Sequence, residues 1–524
     1  MNHYIFANYI LPYGKWWATI LFGGLAGFAF VPWQIFWLFP LMMFFFIKNI
    51  FDKNFFYKKP IKIILAHGFL FYFLQNLVGL SWVGSAPLVF DQSLWWVGWL
   101  MRVMLPAIIA LLYMPAFFIA KKFGTTHLKQ LLLLGLGLSL IDILRHGFLS
   151  GSPWNIASHS FLYLNFFMPW VSLVGQYVLS FWLYGVIFLC AIGFYFNNHR
   201  PLVFSTVVLW CLIPMGLFYY LPHQPITSAD TNQHIRVVQP NLSVGDKKQK
   251  PFFENIKRLK NLSHNQDTIP TIIIWPESAV PINFVKNIAT RQFITDFMQT
   301  NDKLLLGGLR QDEDGAYRNS IFLLDSNGKI LAYYDKHHLV PLGEYVPFAS
   351  LAKQLGILPL AAQNINLARG DAPVPIKISD NFFFQPSICY EIIFPNLARR
   401  NNLTTDIDAI INISNDAWFG KTIGPKQHLF LARLRAVENG VPLYRSAITG
   451  ISAVIDHRGH IVQNIDFGKA DNIISPLLAK TTYPPFYARY QNIIDGSLAG
   501  GLALTLYCLC FISLPSRKKT KRKK

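Results

Sequence analysis

Long apolar runs dominate the chain up to about Leu221, and charged, polar and alternating segments take over from Pro222 to about Arg489. One more apolar stretch then precedes a basic tail. A helix that crosses a bilayer needs roughly 20 mainly apolar residues. By that measure the pattern predicts eight spans, at 16–31, 33–48, 62–82, 95–119, 129–146, 168–195, 202–221 and 492–514. Seven precede the polar region and one follows it. The expected organisation is a membrane domain at 1–221, a polar domain at 222–489, a last span at 490–514 and a tail at 515–524.

Composition agrees with this pattern. Hydrophobic residues make up 52% of the 524 positions and charged residues only 14%, against roughly 25% charged in soluble domains. Five cysteines in so long a chain exclude a disulfide scaffold, and so apolar a chain is not a disordered one. The net charge of +20 reads as a topology signal, because lysine and arginine near span ends stay on the cytoplasmic side. Lys48, Lys53, Lys58, Lys59 and Lys62 fill one loop and Lys121, Lys122 and Lys129 another, while the loop from Gly84 to Ser93 has none. An even number of spans then leaves both termini in the cytoplasm and the polar domain outside. Nucleic acid is not expected as a partner, since the basic tail is short and lacks interleaved aromatics. The first apolar run leads straight into the second without a small-residue cleavage site, so it is expected to stay in the membrane.

The polar region alternates short β-rich runs with helical patterns. Strands are predicted at His234–Gln239, Thr271–Trp275, Lys303–Gly308, Ser320–Asp325, Ile330–Tyr334, Phe382–Ile388, Ala409–Ser414, Leu443–Ile448 and Ser452–Asp456. Helices are predicted at Pro281–Thr300 and Pro425–Asn439, the second opened by proline and stopped by Gly440. The fold class is therefore a membrane protein carrying an α/β layered domain. TIIIW and AIINIS are nearly continuous in apolar character, as strands covered on both faces are.

In such domains chemistry gathers at the carboxyl ends of strands. Glu277 follows TIIIWP, Lys336 follows ILAYYD and Cys389 ends FFFQPSI. Cys190, Cys211, Cys508 and Cys510 fall in predicted spans, so Cys389 is the one thiol of the outer domain. The segment YEIIFPNLARR reads as the first turns of a helix, and a helix N-terminus would depress the thiol pKa. A thiol nucleophile needs a base and a group to hold the oxyanion. Glu277 supplies the first and Lys336 the second, with His337 and His338 an alternative base pair. No metal motif, phosphate loop or G-x-S-x-G elbow is present, so neither metal nor cofactor is expected.

WPES, DKHHLVPLGEYVPF and SICYE resemble the Glu-Lys-Cys signature of the nitrilase superfamily. PLGEYVPF, NISNDAWFG, RLRAVENG and TGISAVID, on a domain held between seven spans and one, resemble its membrane-embedded branch, the apolipoprotein N-acyltransferases. The resemblance implies an eight-helix transmembrane bundle carrying a periplasmic αββα sandwich in the bacterial inner membrane. It implies Cys389 as nucleophile, Glu277 as general base and Lys336 as oxyanion stabiliser. Glu344 would be a supporting carboxylate, and Tyr390 and Glu391 would be needed beside the nucleophile. The implied reaction is a ping-pong transfer by a monomeric enzyme. An acyl chain passes from a phospholipid through a Cys389 thioester to the N-terminal amine of a diacylated apolipoprotein. SVGDKKQK, with Lys247 and Lys248, departs from the tryptophan-containing segment usual there. Trp418 fits an acyl pocket or the core, and the apolar stretch 345–363 fits a packed helix or a membrane-dipping gate. Arg102 fits a lipid phosphate contact or a snorkelling side chain, and Asp142 and Arg145 share a helix face where they can pair. A membrane-tethered carbon–nitrogen hydrolase and a non-catalytic receptor or transporter are the rival readings.

Overall fold

The computed structural model describes residues 11–147, 151–196, 201, 205–208, 212, 233–242, 252–264, 269–280, 284–346, 366–380, 382–397, 401–402 and 405–511. Its membrane part contains α1 (Leu11–Ala26), α2 (Leu38–Phe51), α3 (Ile61–Leu80), α4 (Trp95–Leu112), α5 (Met114–Phe123), α6 (His127–Leu144) and α7 (Val171–Tyr195). Among the described residues, five helical stretches are long and apolar enough to cross a membrane: 61–89, 92–123, 127–144, 168–195 and 486–511. Helix α2 has 14 residues, about 21 Å at the usual rise per residue, and is shorter than a bilayer core. Most of the expected span at 202–221 lies outside the described residues, as do the stretch 347–365 and Lys247 and Lys248.

Two buried charges organise this part. Asp142 and Arg145 approach to 4.0 Å with 0% and 1% of their side chains exposed, and Tyr113 bridges them, donating to Asp142 at 2.5 Å and accepting from Arg145 at 2.8 Å. Asp142 also accepts from the Ala157 amide, and Arg145 donates to the Trp154 carbonyl. The pair therefore pins the loop that follows α6 as well as pairing along one helix face. Asp142→Ala is expected to lower stability by about 3–5 kcal/mol, because it strands a buried guanidinium; thermal unfolding in detergent measures this. Arg102 is partly exposed, its guanidinium 5.2 Å from the Trp99 ring.

The polar region folds into two six-stranded sheets. The strands are β1 (His234–Gln239), β2 (Thr271–Ile274), β3 (Lys303–Gln311), β4 (Tyr317–Asp325), β5 (Ile330–Asp335), β6 (Ile376–Ser379), β7 (Phe382–Ile388), β8 (Ala409–Ser414), β9 (Leu443–Ala447), β10 (Ser452–Ile455), β11 (Ile461–Ile465) and β12 (Asp471–Pro476). The first sheet has the order β12-β1-β2-β3-β4-β5 and the second β11-β10-β9-β8-β7-β6. Each has a parallel trio at its centre, β1-β2-β3 and β7-β8-β9. Alternate residues divide between two cores, as a period of two requires. Ile235, Val237, Ile272 and Ile274 meet Phe384, Ile388, Ile411 and Ile413 between the sheets. On the other side, Val238, Ile273 and Trp275 pack with α8 (Phe252–Ser263) and α9 (Ile288–Thr295). The second sheet packs its outer face, through Ile410, Leu443 and Ile455, on α10 (Gly424–Asn439), which also touches α7. These layers make the αββα order that the resemblance implied.

The cluster containing α10 runs without interruption into the membrane helices, taking in Phe39, Leu138, Trp154 and Leu183. Pro425 in the first turn and a left-handed Gly440 at φ 63° bound α10 as the sequence predicts. The helix expected over 281–300 is realised only at α9, with 281–283 outside the described residues. The last helix, α11 (Phe486–Phe511), starts six residues before the expected span, its first turn carrying polar residues.

Candidate active site

Glu277 lies just past β2, Lys336 follows β5 and Cys389 follows β7. Strand β4 is antiparallel to both β3 and β5, so β5 runs in the direction of β2 and delivers its carboxyl end to the same edge. The second sheet brings the end of β7 to that edge from across the inter-sheet core. All three side chains are buried, Glu277 at 4%, Lys336 at 1% and Cys389 at 7% exposure.

The Lys336 ammonium sits 4.0 Å from Glu277 Oε1 and 2.9 Å from Glu344 Oε2. Asn319 bridges the two carboxylates, donating to Glu277 at 2.7 Å and Glu344 at 3.0 Å. The Asn415 amide donates to the other Glu277 oxygen at 2.7 Å, and the Val340 amide donates to Glu344. Glu391 then staples the lysine loop to the cysteine loop. Its Oε1 accepts from the Tyr334 hydroxyl and from the amides of His337 and His338, while Oε2 accepts from the Ile388 amide. That one carboxylate is what draws Lys336 and Cys389 together. Tyr390 ties the same turn to the membrane part by donating to the Gly151 carbonyl at 2.8 Å. Trp418 is partly exposed on the turn Asp416–Phe419, whose Phe419 packs edge-on against Trp82 at 4.8 Å.

The charges follow from burial and neighbours. Burial most of all raises the Glu277 carboxyl above the usual range, and Glu344 adds to this against the lowering effect of Lys336. Burial alone would lower Lys336, but Glu344 and Glu277 outweigh it and hold the ammonium charged well above neutral pH. The Cys389 thiol is pushed up to about 12, first by burial and then by Glu277, against Lys336.

This overturns the expected thiolate. Cys389–Ile393 is a single tight turn, and Phe394 is already extended, so no helix dipole faces the sulfur. A thiol raised in this way stays protonated at neutral pH. Nor do the adjacent histidines form the site: the His337 ring meets the Gly370 carbonyl and Arg369, and the His338 ring packs at a tilt against Phe394, 4.1 Å between centroids.

Two residues of the site escaped the sequence reading. Asn415 is the first residue after AIINIS, so the strand-end rule would have found it. Asn319 lies near the start of β4, and only an antiparallel strand brings its beginning to that edge. Cys389 itself has φ 50°, a left-handed conformation that costs a non-glycine residue about 1–3 kcal/mol and gathers at functional sites.

Gly307 makes room for Glu277. A Cβ there would lie 2.6 Å from Glu277 Cα and 2.9 Å from the Pro276 carbonyl, so the loop after β2 can rest on β3 only over glycine. Gly307→Ala is expected to cost about 1–3 kcal/mol. By displacing Glu277 it should also slow turnover by roughly tenfold or more, read from melting curves and single-turnover rates.

Comparison with known proteins adds the following. Residues 22–191 match the family profile "Apolipoprotein N-acyltransferase N-terminal domain" and residues 235–481 match "Carbon-nitrogen hydrolase". The apolipoprotein N-acyltransferase of Rhizobium rhizogenes is 32% identical over 79% of this chain and 80% of its own length. That of Agrobacterium fabrum is 33% identical over 77% of each. That of Brucella melitensis is 31% identical over 84% of this chain and 85% of its own. Among solved structures, a CN-hydrolase superfamily protein from Xanthomonas campestris aligns at 16% identity, over 51% of this chain and 96% of its own, with a TM-score of 0.35.

Proposed function

The chain belongs to the apolipoprotein N-acyltransferases, and from that premise we propose that Glu277, Lys336 and Cys389 carry the transfer through an acyl thioester. The buried cluster of one base, one fixed cation and one thiol, on a domain fused by its core to apolar helices, supports this reading. Cys389 Sγ attacks the ester carbonyl of a phospholipid as its proton passes to Glu277. The oxyanion that forms is held by the Lys336 ammonium. Collapse expels the lysophospholipid alkoxide, which takes the proton back from Glu277 and leaves the thioester.

In the second half, the N-terminal amine of the lipidated cysteine attacks the thioester carbon. Glu277 takes one amine proton, the sulfur leaves, and the returning proton restores the thiol. The product is an amide. Glu344 and Asn319 hold Lys336 and Glu277 in register, Glu391 fixes the two loops, and Tyr390 sets their height over the membrane part. Trp418, partly exposed on the turn Asp416–Phe419, is assigned to the acyl path. Water must be kept out for transfer to win over hydrolysis, and the burial of all three groups serves that end.

The remaining expectations extend the proposal. The enzyme acts as a monomer in the bacterial inner membrane with eight spans, its nitrilase-like domain in the periplasm and both termini in the cytoplasm. The paucity of basic residues at 84–93 beside the lysine-rich loops supports that orientation. The proposal is tested by incubating the purified enzyme with phospholipid and mapping the adduct by mass spectrometry. An acyl mass on the Cys389 peptide, released by hydroxylamine, is expected. Wild-type enzyme that transfers acyl chains with no such adduct in single-turnover samples would exclude the thioester.

A further inference from the structure

The triad leaves one group of the nucleophile untouched, its main-chain carbonyl. His428 Nε2 lies 3.1 Å from the Cys389 carbonyl oxygen. His428 comes from the start of α10 and is fully buried. Its other ring nitrogen, Nδ1, is 3.0 Å from Arg445 Nη2 and 3.1 Å from Asp416 Oδ1. Arg445, on β9, donates to both Asp416 oxygens at 2.8 and 2.7 Å and also to Asn412 and the Ile451 carbonyl. Asn412 in turn donates to the Ser387 carbonyl, two residues before the nucleophile.

The Cys389 carbonyl can only accept, so His428 donates to it from Nε2. Nδ1 lies within reach of both Arg445, which can only donate, and Asp416, which can only accept; in a neutral ring protonated at Nε2 it accepts from Arg445. A neutral imidazole then carries its hydrogen on Nε2, where the Cys389 carbonyl receives it. Burial first and Arg445 second keep the ring neutral, against the pull of Asp416. The Ser414 hydroxyl and Arg445 already supply donors to Asp416 Oδ1, so that oxygen needs no proton from the ring.

The neighbouring residue anchors the same turn. Gln427 donates to the Val31 and Gly79 carbonyls at 2.9 Å each and accepts from the Trp82 indole at 2.9 Å. One turn of α10 thus holds the membrane part with one side chain and the nucleophile's backbone with the next.

We propose that His428, fixed in its Nε2–H form by Arg445 and Asp416, is a positioning residue that holds Cys389 in its left-handed backbone conformation and so aims the sulfur at Glu277 and the incoming ester. The inference rests on Cys389 being the nucleophile. Without the Nε2–H bond the strained residue is free to relax toward ordinary backbone geometry, carrying the sulfur with it.

The test uses the full chain in detergent micelles with His428→Phe, which fills the space without a donor, and His428→Gln, whose amide can place a donor near Nε2. Two rates are read: acyl-enzyme formation with a phospholipid, and alkylation of Cys389 by iodoacetamide, mapped by peptide mass spectrometry. His428→Phe is expected to slow both by roughly tenfold or more with the lipid KM little changed, and His428→Gln to recover most of the loss. Wild-type rates in His428→Phe would overturn the proposal, as would a His428→Gln enzyme of wild-type melting temperature no faster than the phenylalanine variant. Should the variants misfold, nitrogen NMR of histidine-labelled wild-type enzyme decides: an Nε2–H tautomer supports the assignment and an Nδ1–H tautomer refutes it. If alkylation follows the variants but no acyl adduct forms even on wild type, the positioning role stands and the thioester mechanism falls.

Discussion

Cys389→Ala is expected to remove acyl-enzyme formation altogether and to reduce lipoprotein acylation by about four orders of magnitude or more, the scale on which loss of a nucleophile acts. No other described cysteine can substitute: Cys190, Cys508 and Cys510 lie on α7 and α11. Cys389→Ser should be nearly as inactive. A buried hydroxyl gives up its proton far less readily than a thiol, and in the proposed mechanism even the thiol, raised by burial, needs Glu277 to take its proton during attack. The serine variant should fold and bind phospholipid, because it replaces sulfur by a smaller atom on an unchanged backbone. The readout is the mass of the Cys389 peptide together with lipid retention on the purified protein. An acylated Cys389→Ala enzyme would mean that the fatty chain travels by another route.

Glu277→Gln should cost about 10²- to 10⁴-fold in acyl-enzyme formation, the usual worth of a positioned general base. The amide oxygen can still receive the Asn415 N–H, Asn319 loses its acceptor at 277 but keeps Glu344, and Lys336 keeps its closer partner Glu344 at 2.9 Å. Folding should therefore change little. The pH profile separates the base from a merely structural carboxylate. Because burial raises the Glu277 carboxyl, its protonated, inactive form persists to higher pH than in an exposed glutamate. Single-turnover rates of the wild type should fall as pH drops through that raised value, while the glutamine variant should be slow throughout and lack this limb. Lys336 stays protonated across the same window, so it contributes no limb of its own. A wild-type acid limb that survives in Glu277→Gln would assign the proton to another group.

Much of this site could be read from the chain. Continuous apolar runs locate β2, β7 and β8 because both faces of each strand are covered, and Glu277, Cys389 and Asn415 stand where those runs stop. Three strands were not predicted: β6 has only four residues, alternately buried and exposed, and the other two failed for want of an apolar run. β11 shows four exposed residues of five, and β12 mixes polar positions with a closing proline, so neither carries the hydrophobic signal of a buried strand. Helix α8 is amphipathic, yet its charged residues hide a short apolar stripe. The thiol's state was misread because YEIIF has helical spacing, whereas the chain leaves the turn at Phe394 once Glu391 has been spent on the Tyr334 hydroxyl and three backbone amides. Hydrophobic periodicity records which face is buried; it does not record where a side chain's hydrogen bonds go. Asn319, His428 and Arg445 belong to that second kind of information.

Helix α10 carries the last consequence. Gln427, His428, Arg435, Glu438 and Asn439 are all buried on it, and Arg435 donates to Gln176 of α7 as well as to Glu438. A helix buried along nearly all its length, with only Lys426 exposed and Arg433 partly so, and with polar groups satisfied partly by its neighbours across the boundary, has little face prepared for water. The polar half is expected not to be soluble when cut free: severed near 222 and 485, it would present Gln427 stripped of Val31, Gly79 and Trp82, Arg435 without Gln176, and a broad greasy surface to solvent. The bilayer anchor is, in that sense, the missing outer wall of the reactive domain rather than a leash attached to it.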